Sequence, residues 1–201
     1  MDTSTPQKLY AYVEESGQDT AGRFFVVSVV LVGTERDAVL QRLEALEERS
    51  GKGYVKWRRA RYAFRQAYID GLTGIPALTA SIFAATFRQA RNYFALTVES
   101  TARAITTKTQ GHAYKVTVFV DGLTRHERVT FITSLRTHGI TRKKVRGVRD
   151  EQSNAGIRLA DALCGLIRDA EDGEVGGSRP GAPAPAGDHH PDLRAKKSPR
   201  G

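Results

Sequence analysis

The sequence predicts a mixed α/β domain, from the order of its apolar segments and from the spacing within them. Two segments near the start, about 8–14 and 23–32, are rich in β-branched and aromatic residues, which predicts strands. The short connection between them contains two glycines and predicts an antiparallel hairpin. Helical and strand-like segments then alternate. They predict one mixed sheet of about five strands flanked by helices, with a helical pair inserted after the second strand.

Capping residues and periodicity place the remaining elements. The first helix is predicted to begin at Thr34, with Asp37 in a capping-box-like position, and to end near residue 50. A later helix is predicted to begin at Thr124, where Glu127 completes a capping box. The other predicted elements are a second helix over about 54–70, a strand at 78–84, a helix at 88–108, strands at 114–120 and 143–148, and a last helix at 157–170.

The composition predicts one domain over residues 1–171, followed by a disordered tail over 172–201. A chain of 201 residues with 40% hydrophobic residues can bury a full core. From residue 172 onward the chain holds five of its seven prolines and six of its 19 glycines. The single cysteine, Cys164, excludes an internal disulfide framework. With no evident signal peptide or membrane-spanning segment, a cytoplasmic location is predicted.

The net charge of +9 predicts a polyanionic partner. Seven basic residues and no acid occur from Arg49 to Ile69, and in a helix Arg58, Arg61 and Arg65 would form one stripe. An unmixed basic stripe beside aromatic residues favours nucleic acid, and no membrane partner is predicted. An ordinary solvated helix face, or charge that only serves solubility, is the alternative. The predicted nucleic-acid contacts are Lys56, Arg58, Arg61, Arg65, Arg142, Lys143 and Lys144.

Acidic residues stand at comparable places in three predicted elements. Glu14 and Glu15 end the first strand, Asp121 ends the fourth, and Asp161 lies on the last helix at the margin of its apolar face. In open α/β sheets, functional residues gather at the carboxyl ends of strands, and a part-buried carboxylate needs a partner. These acids could therefore chelate a divalent cation such as Mg²⁺, as carboxylates do in many nucleases.

Each of these acids also has a simpler explanation. Glu14 could lie at a frayed strand end in solvent, and Asp121 could begin an ordinary Asp-Gly turn. Asp161 could pair with Arg158 or Arg168, which lie three residues before it and seven after it. Spacing alone does not decide between these explanations and a metal site.

Three short motifs resemble those of the DUF3800 family. Tyr12-Val-Glu-Glu-Ser-Gly17, followed by an apolar strand, resembles the family's opening Tyr-x-Asp-Glu-Ser-Gly, and Val120-Asp121 resembles its middle acidic strand. Asp150, followed by Ile157-Arg-Leu-Ala-Asp161 and Gly165, resembles its closing motif. The resemblance covers residues 9–170 approximately. It implies a ribonuclease H-like fold, which is found in nucleases, transposases and integrases.

Taken position by position, the resemblance implies site acids at Glu14, Glu15, Asp121, Asp150 and Asp161. Two positions depart from the family pattern. The first acid is Glu14 where the family has Asp, and Arg158 stands where it has Gln, which adds positive charge beside the site. Both departures are compatible with binding and weaken the case for full activity.

The sequence thus predicts a Mg²⁺- or Mn²⁺-dependent nuclease or a related phosphoryl-transfer enzyme. Glu14, Asp121 and Asp161 are the predicted metal ligands, and Glu15 or Asp150 is predicted to assist. The alternative is a non-catalytic nucleic-acid-binding or assembly module on the same fold. A hydrolase that uses Ser16 as nucleophile is a weaker possibility, since no nucleophile-elbow pattern surrounds that residue. The choice between DNA and RNA, and whether a homodimer forms, stay open at this stage.

Overall fold

One five-stranded sheet organises the chain. The structure is a computed structural model that describes residues 6–148 and 154–173. The strands are β1 (Gln7–Ser16), β2 (Phe25–Val32), β3 (Ile82–Phe87), β4 (Tyr114–Asp121) and β5 (Lys143–Val148), and their order in the sheet is β3-β2-β1-β4-β5. The first three strands pair antiparallel, whereas β1 with β4 and β4 with β5 pair parallel. The predicted hairpin and the mixed sheet are both confirmed.

Helices cover both faces of this sheet. They are α1 (Arg36–Arg49), α2 (Tyr62–Leu72), α3 (Tyr93–Thr109), α4 (Arg125–Thr137) and α5 (Ala155–Glu171). One core forms where α3 and α4 pack on the face that carries Leu9, Ala11 and Val13. A second core forms where α1, α2 and α5 pack on the opposite face, which carries Tyr12 and Val30. The helical pair after β2 is confirmed, and β2 reads as a continuous apolar run because both of its faces are buried.

The predicted caps of two helices have different outcomes. The capping box of α4 is confirmed, because Thr124 accepts from the backbone N–H of Glu127 and the Glu127 carboxylate accepts from the backbone N–H of Thr124. The capping-box-like start of α1 at Thr34 is wrong. The residue before α1 is Glu35, which makes no side-chain cap, and its carboxylate instead accepts from the backbone N–H of Gly33 at 3.4 Å.

The second predicted helix is wrong over its first half. A short 3₁₀ turn, Trp57–Arg59, precedes α2, and Arg61 has an extended backbone (φ −63°, ψ 146°). The backbone N–H of Trp57 donates to Asp161, a long-range contact that no helical repeat predicts. The predicted stripe of Arg58, Arg61 and Arg65 therefore does not exist as one helix face.

The third strand and the third helix lie further along the chain than predicted. Pro76–Leu78 forms a 3₁₀ turn, which moves the strand from 78–84 to β3 at Ile82–Phe87. The third helix begins at Tyr93 rather than residue 88, because the side chain of Asn92 accepts from Ala95 N and caps it. Leu78, the buried residue of this turn, has the apolar character of a strand residue, which explains why the strand was predicted too early.

Two predictions lie outside the described residues. The tail predicted for 172–201 lies beyond them from residue 174 onward, so the domain boundary at residue 171 stays a prediction. Asp150 also falls in an undescribed segment, 149–153. Within the described ranges, the helices lack the combination of length and hydrophobicity that crossing a membrane requires.

Candidate active site

Three elements bring three carboxylates to one cavity. Glu14 lies near the end of β1, Asp121 is the last residue of β4, and Asp161 lies in the second turn of α5. Since β1 and β4 are parallel neighbours, their carboxyl ends meet at one edge of the sheet. All three side chains line a cavity of about 410 Å³.

Close packing of α5 on the sheet positions Asp161 over this edge. Gly156 allows the approach, because a Cβ there would lie 2.6 Å from the ring of Tyr12. The hydroxyl of Ser28, which pairs with Glu14 across β1 and β2, donates to Ala160 O at 2.7 Å. This bond holds α5 on β2 one residue before Asp161, next to Glu14 on the neighbouring strand.

The electrostatics of Glu14 show that the three acids act on one another. Burial raises the pKa of the Glu14 carboxyl well above its usual range, and the negative charges of Asp121 and Asp161 raise it further. The Lys56 ammonium opposes this shift by favouring the charged form. An ionised Glu14 is therefore costly in the protein alone, and an added cation would relieve that cost.

Asp161 is held by the backbone of the loop before α2. Its Oδ2 accepts from Trp57 N at 2.8 Å. The arginines that could have paired with it have other carboxylates, since Arg158 forms a two-pronged pair with Glu47 and Arg168 forms one with Asp19. Asp161 therefore faces the cavity with Glu14 and Asp121.

The same loop brings a cation to Asp121. Lys56 Nζ lies 3.7 Å from Asp121 Oδ2, and the two side chains are 44% and 14% exposed. A half-exposed pair of this kind adds little stability, about 0–1 kcal/mol. Its importance lies in the location, because the ammonium occupies part of the space where the three acids would hold a metal.

The donor set suits a hard divalent cation, although the side chains do not form a ready metal cage. Carboxylate oxygens are the ligands that Mg²⁺ and Mn²⁺ prefer. In the ranges 6–148 and 154–173, no group of three or more Asp, Glu, His or Cys side chains is arranged to hold a metal ion as it stands. The carboxylate oxygens therefore suit a metal chemically. In this structure, however, Asp121 pairs with the Lys56 ammonium and Asp161 accepts a hydrogen bond from Trp57 N.

Glu15 does not join this cluster. Successive side chains of a strand point to opposite faces, so Glu15 faces α3, where it accepts hydrogen bonds from Thr97 and Gln18. Burial raises its pKa, and the hydrogen bond from Thr97 lowers it again in part. The structure places the predicted assisting acid Asp150 outside the described residues.

The predicted nucleic-acid contacts separate into three groups. Lys56 and Arg58 line the cavity of the three acids, together with Arg59. Arg65 pairs with Asp169 at 2.6 Å and packs on the Trp57 ring, so its charge is committed within the fold. Arg61 is exposed, and its guanidinium lies over the Phe64 ring.

The third group, Arg142, Lys143 and Lys144, lies at the far end of β5 from the acids. Asp121 pairs with Val148, the last residue of β5, whereas this basic group is at the start of that strand. At about 3.3 Å per residue, the five steps from Lys143 to Val148 separate the two ends by about 17 Å. These cations line a separate cavity of about 570 Å³.

Several features of the site were not predicted from the sequence. Arg158 is neutralised by the fully buried Glu47, and Lys52 lies 3.6 Å from the same carboxylate. Burial lowers the pKa of Lys52, and the charge of Glu47 opposes that shift. Tyr54, 61% exposed, stacks on the Arg158 guanidinium at 4.5 Å. Glu47 occupies an apolar position of the α1 repeat, which is the one anomaly that could have indicated a buried partner.

The fold with this strand order and these flanking helices is ribonuclease H-like. Ribonuclease H2 from Pyrococcus horikoshii OT3 is similar, with a TM-score of 0.57 and 13% identity over 83% of this chain and 74% of that one. The RNase HII of Archaeoglobus fulgidus, solved in a complex with PCNA, is also similar, with a TM-score of 0.54 and 12% identity over 83% and 75%. At such identities the similarity establishes the fold alone.

The sequence comparisons add no family. A scan of protein-family models found no match, and a search of curated proteins found none either. The resemblance to the DUF3800 family therefore stays a prediction from its three motifs.

Proposed function

We propose that this protein is a divalent-metal-dependent nuclease, or a related phosphoryl-transfer enzyme, that acts on nucleic acid. The observation that carries the proposal is the meeting of Glu14, Asp121 and Asp161 in one cavity of a ribonuclease H-like fold. Burial and the charges of Asp121 and Asp161 raise the pKa of Glu14, and an acid held at such a cost indicates a functional role. The net charge of +9 supports a polyanionic substrate.

In this proposal, Glu14, Asp121 and Asp161 hold Mg²⁺ or Mn²⁺. A bound divalent cation lowers the pKa of an attacking water and offsets negative charge on the phosphate. Trp57 N orients the Asp161 carboxylate, and Arg58 at the cavity wall contacts a phosphate oxygen. Glu15 lies on the other face of the sheet and is left out of the proposed ligand set.

The DUF3800 resemblance supports the same assignment, because it aligns these three acids with family positions. We propose membership of that family on the three motifs alone. Glu14 stands where the family has Asp, and it is longer by one methylene group. Of the three proposed ligands it is the one that departs from the family motif.

A cleavage assay tests the proposal. Labelled single strands, duplexes and RNA–DNA hybrids are incubated with the full chain and either Mg²⁺ or Mn²⁺. We expect cleavage that Asp121→Asn and Asp161→Asn each reduce by about 100-fold or more, since the loss of preorganised charge in an active site costs that much. Glu48→Gln, which removes an exposed acid of α1, is the matched control and should keep full activity. Full cleavage by both aspartate variants would refute the metal site.

A second candidate is a non-catalytic nucleic-acid-binding module, and one observation favours it. Lys56 already places a positive charge at Asp121, so the acids are partly compensated without a metal. This candidate predicts binding of nucleic acid with no cleavage in either metal. It also predicts that Asp121→Asn does not weaken binding, because that substitution removes a negative charge from the surface.

A further inference from the structure

One face of the sheet carries exposed cations next to half-buried rings, and it leads directly to the acidic cavity. Because side chains alternate along a strand, every second residue of β1, β4 and β5 shares this face. The register aligns Lys8 with Lys115, and it aligns Tyr10 with Thr117 and Lys144. We call the set the basic platform, and it consists of Lys8, Tyr10, Lys115, Thr117, Lys144 and Arg146.

The platform is open because helices cover only part of this face. The helix α5 packs mainly on β1 and β2, whereas α4 packs on β5 from the opposite side. Lys115, Lys144 and Arg146 are exposed as a result, while Val116 and Val145 on the other face are buried. The charged side chains on this exposed face do not contribute to the hydrophobic core, so they are available to bind a partner.

The platform has the chemistry of a polyanion site. Lys8, Lys115 and Lys144 line the cavity of about 570 Å³, and no Asp or Glu of the described residues lines it. Tyr10 lies at its wall with the Arg36 guanidinium 5.0 Å from the ring centroid. Cations beside an aromatic ring are the combination that binds a phosphate backbone and stacks a base.

The platform continues to the acids along single strands. On β4 the residues of this face are Lys115, Thr117, Phe119 and then Asp121, and on β5 Arg146 lies over the Phe119 ring. Successive positions on one face are about 6.6 Å apart, so about 20 Å separate Lys115 from Asp121. The phosphates of a nucleic-acid strand can therefore contact Lys115, Lys144 and then Arg146 on the way from the basic cavity to Asp121.

We propose that the basic platform binds single-stranded nucleic acid and leads it along β4 to the acidic cavity. The proposal deepens the proposed function and rests on it for the direction of the strand. A half-buried ring at the wall of a basic cavity fits a flexible single strand, whose bases can turn toward Tyr10. A membrane is a poorer fit, because the exposed large hydrophobic residues lie elsewhere, at Tyr54, Val55, Tyr62, Phe64 and Val129.

Binding without metal tests the platform separately from any cleavage. The affinity of the full chain for labelled oligothymidylate and oligouridylate is measured by fluorescence anisotropy in EDTA, over a series of salt concentrations. Lys115→Glu with Lys144→Glu should weaken binding by about tenfold or more. The slope of log affinity against log salt should also decrease by about 0.7 for each lost phosphate contact.

The matched control is Arg125→Glu with Arg128→Glu, which changes the net charge equally on α4, at the opposite side of the sheet. It should change affinity by less than about threefold at moderate salt, because only screened long-range charge is lost. Thermal melts establish that both variants fold. Equal losses in the two variants would overturn the proposal, since binding would then depend on net charge alone.

A third variant tests the ring. Tyr10→Ser should weaken single-strand binding by about five- to tenfold while leaving the salt slope unchanged, because stacking does not release counterions. Tighter binding of a duplex than of a single strand would overturn the proposed substrate. If no nucleic acid is cleaved in any metal but the platform variants lose binding, the platform stands and the nuclease fails. If nucleic acid is cleaved but the platform variants bind as tightly as the wild type, the nuclease stands and the platform fails.

Discussion

The adjacent glutamates of β1 show how far a single residue can be predicted. Strand alternation alone places Glu14 and Glu15 on opposite faces, and the structure has Glu14 in the acidic cavity and Glu15 against Thr97. The sequence does not show how deeply Glu14 is buried, because its burial depends on the packing of α5. That helix lies far along the chain, and its Cys164, which contacts Glu14 O, is 150 residues away.

The raised pKa of Glu14 predicts a pH-dependent stability. A carboxyl group with a higher pKa in the folded state holds its proton more tightly when folded. Its contribution to the free energy of unfolding is complete below the ordinary value of 4.5 and is lost as pH rises through the folded-state pKa. Glu14→Gln, which cannot ionise, should therefore gain stability relative to the wild type as pH rises above 4.5.

Urea unfolding of the two proteins in EDTA, at a series of pH values, measures this difference. The gain should level off once Glu14 is fully ionised. Glu48→Gln, which removes an exposed acid of α1, is the matched control for the loss of one carboxyl group. A difference for Glu14→Gln that does not vary with pH would contradict the raised pKa of Glu14.

Lys56 has a partner that the sequence did not indicate. The structure pairs it with Asp121, and its predicted contact with nucleic acid stays a prediction. The sequence predicts a helix around it, but the structure has a turn there, so helical periodicity gave the wrong direction for the side chain. The same holds for Trp57, whose backbone rather than its ring contacts Asp161.

Replacing the Lys56 ammonium should strengthen metal binding. Lys56→Met keeps the length of the side chain and removes a positive charge that a divalent cation would meet near Asp121. We expect Mn²⁺ to bind about tenfold more tightly, since a unit charge at about 4–6 Å from a divalent ion costs on the order of 1–2 kcal/mol even in water. Quenching of Trp57, the single tryptophan of the chain, reports the binding. Arg61→Met is the control, and unchanged affinity in Lys56→Met would contradict the competition.

At the scale of elements, the type of each helix and strand was more predictable than its beginning. The strands β1, β2 and β4 have strong apolar patterns, and these three and the short, basic β5 were predicted closely. The errors cluster at 54–60 and 76–82, where buried residues lie in turns. Such turns are stabilised by contacts with elements that are distant in the sequence. The local pattern of apolar residues carries no information about those contacts.

The packing of α5 against the loop before α2 depends on Gly165. A Cβ at this position would lie 2.0 Å from the Trp57 ring, which Asp169 also holds through a hydrogen bond of 2.7 Å from Trp57 Nε1. Gly165→Ala should therefore displace Trp57 and lower the free energy of unfolding by about 1–3 kcal/mol. It should also weaken Mn²⁺ binding, because Trp57 N would no longer hold Asp161.

Urea unfolding with a double-mutant cycle measures this effect. Trp57→Ala removes the ring, so Gly165→Ala should lower the free energy of unfolding much less in that background. The double variant should then lose less stability than the sum of the two single variants. Ala170→Ser, at an exposed position of the same helix, should change stability by less than about 0.5 kcal/mol. Full additivity of the two substitutions would show that the contact does not control the position of the loop.

At the scale of the whole molecule, charge is segregated in a way that net charge cannot predict. The value of +9 indicated a polyanionic partner, and it contained no information on where cations gather. The structure places Lys115 and Lys144 at one end of a sheet face and Asp121 at the other. That arrangement follows from the parallel pairing of β4 and β5, which only the complete topology fixes.

The predicted division into a domain and a tail can be tested by truncation. Residues 174–201 contain five basic and three acidic residues and almost no bulky apolar ones, so they add little net charge and little material for a core. A chain that ends at Gly173 should keep the melting temperature of the full chain within about 2 °C, because a change below about 0.5 kcal/mol shifts it by no more than that. Its affinity for single strands should decrease by less than about threefold, far less than in the platform variants. A large loss of melting temperature would place part of the core within 174–201, and a large loss of affinity alone would move the nucleic-acid site from the sheet face to those residues.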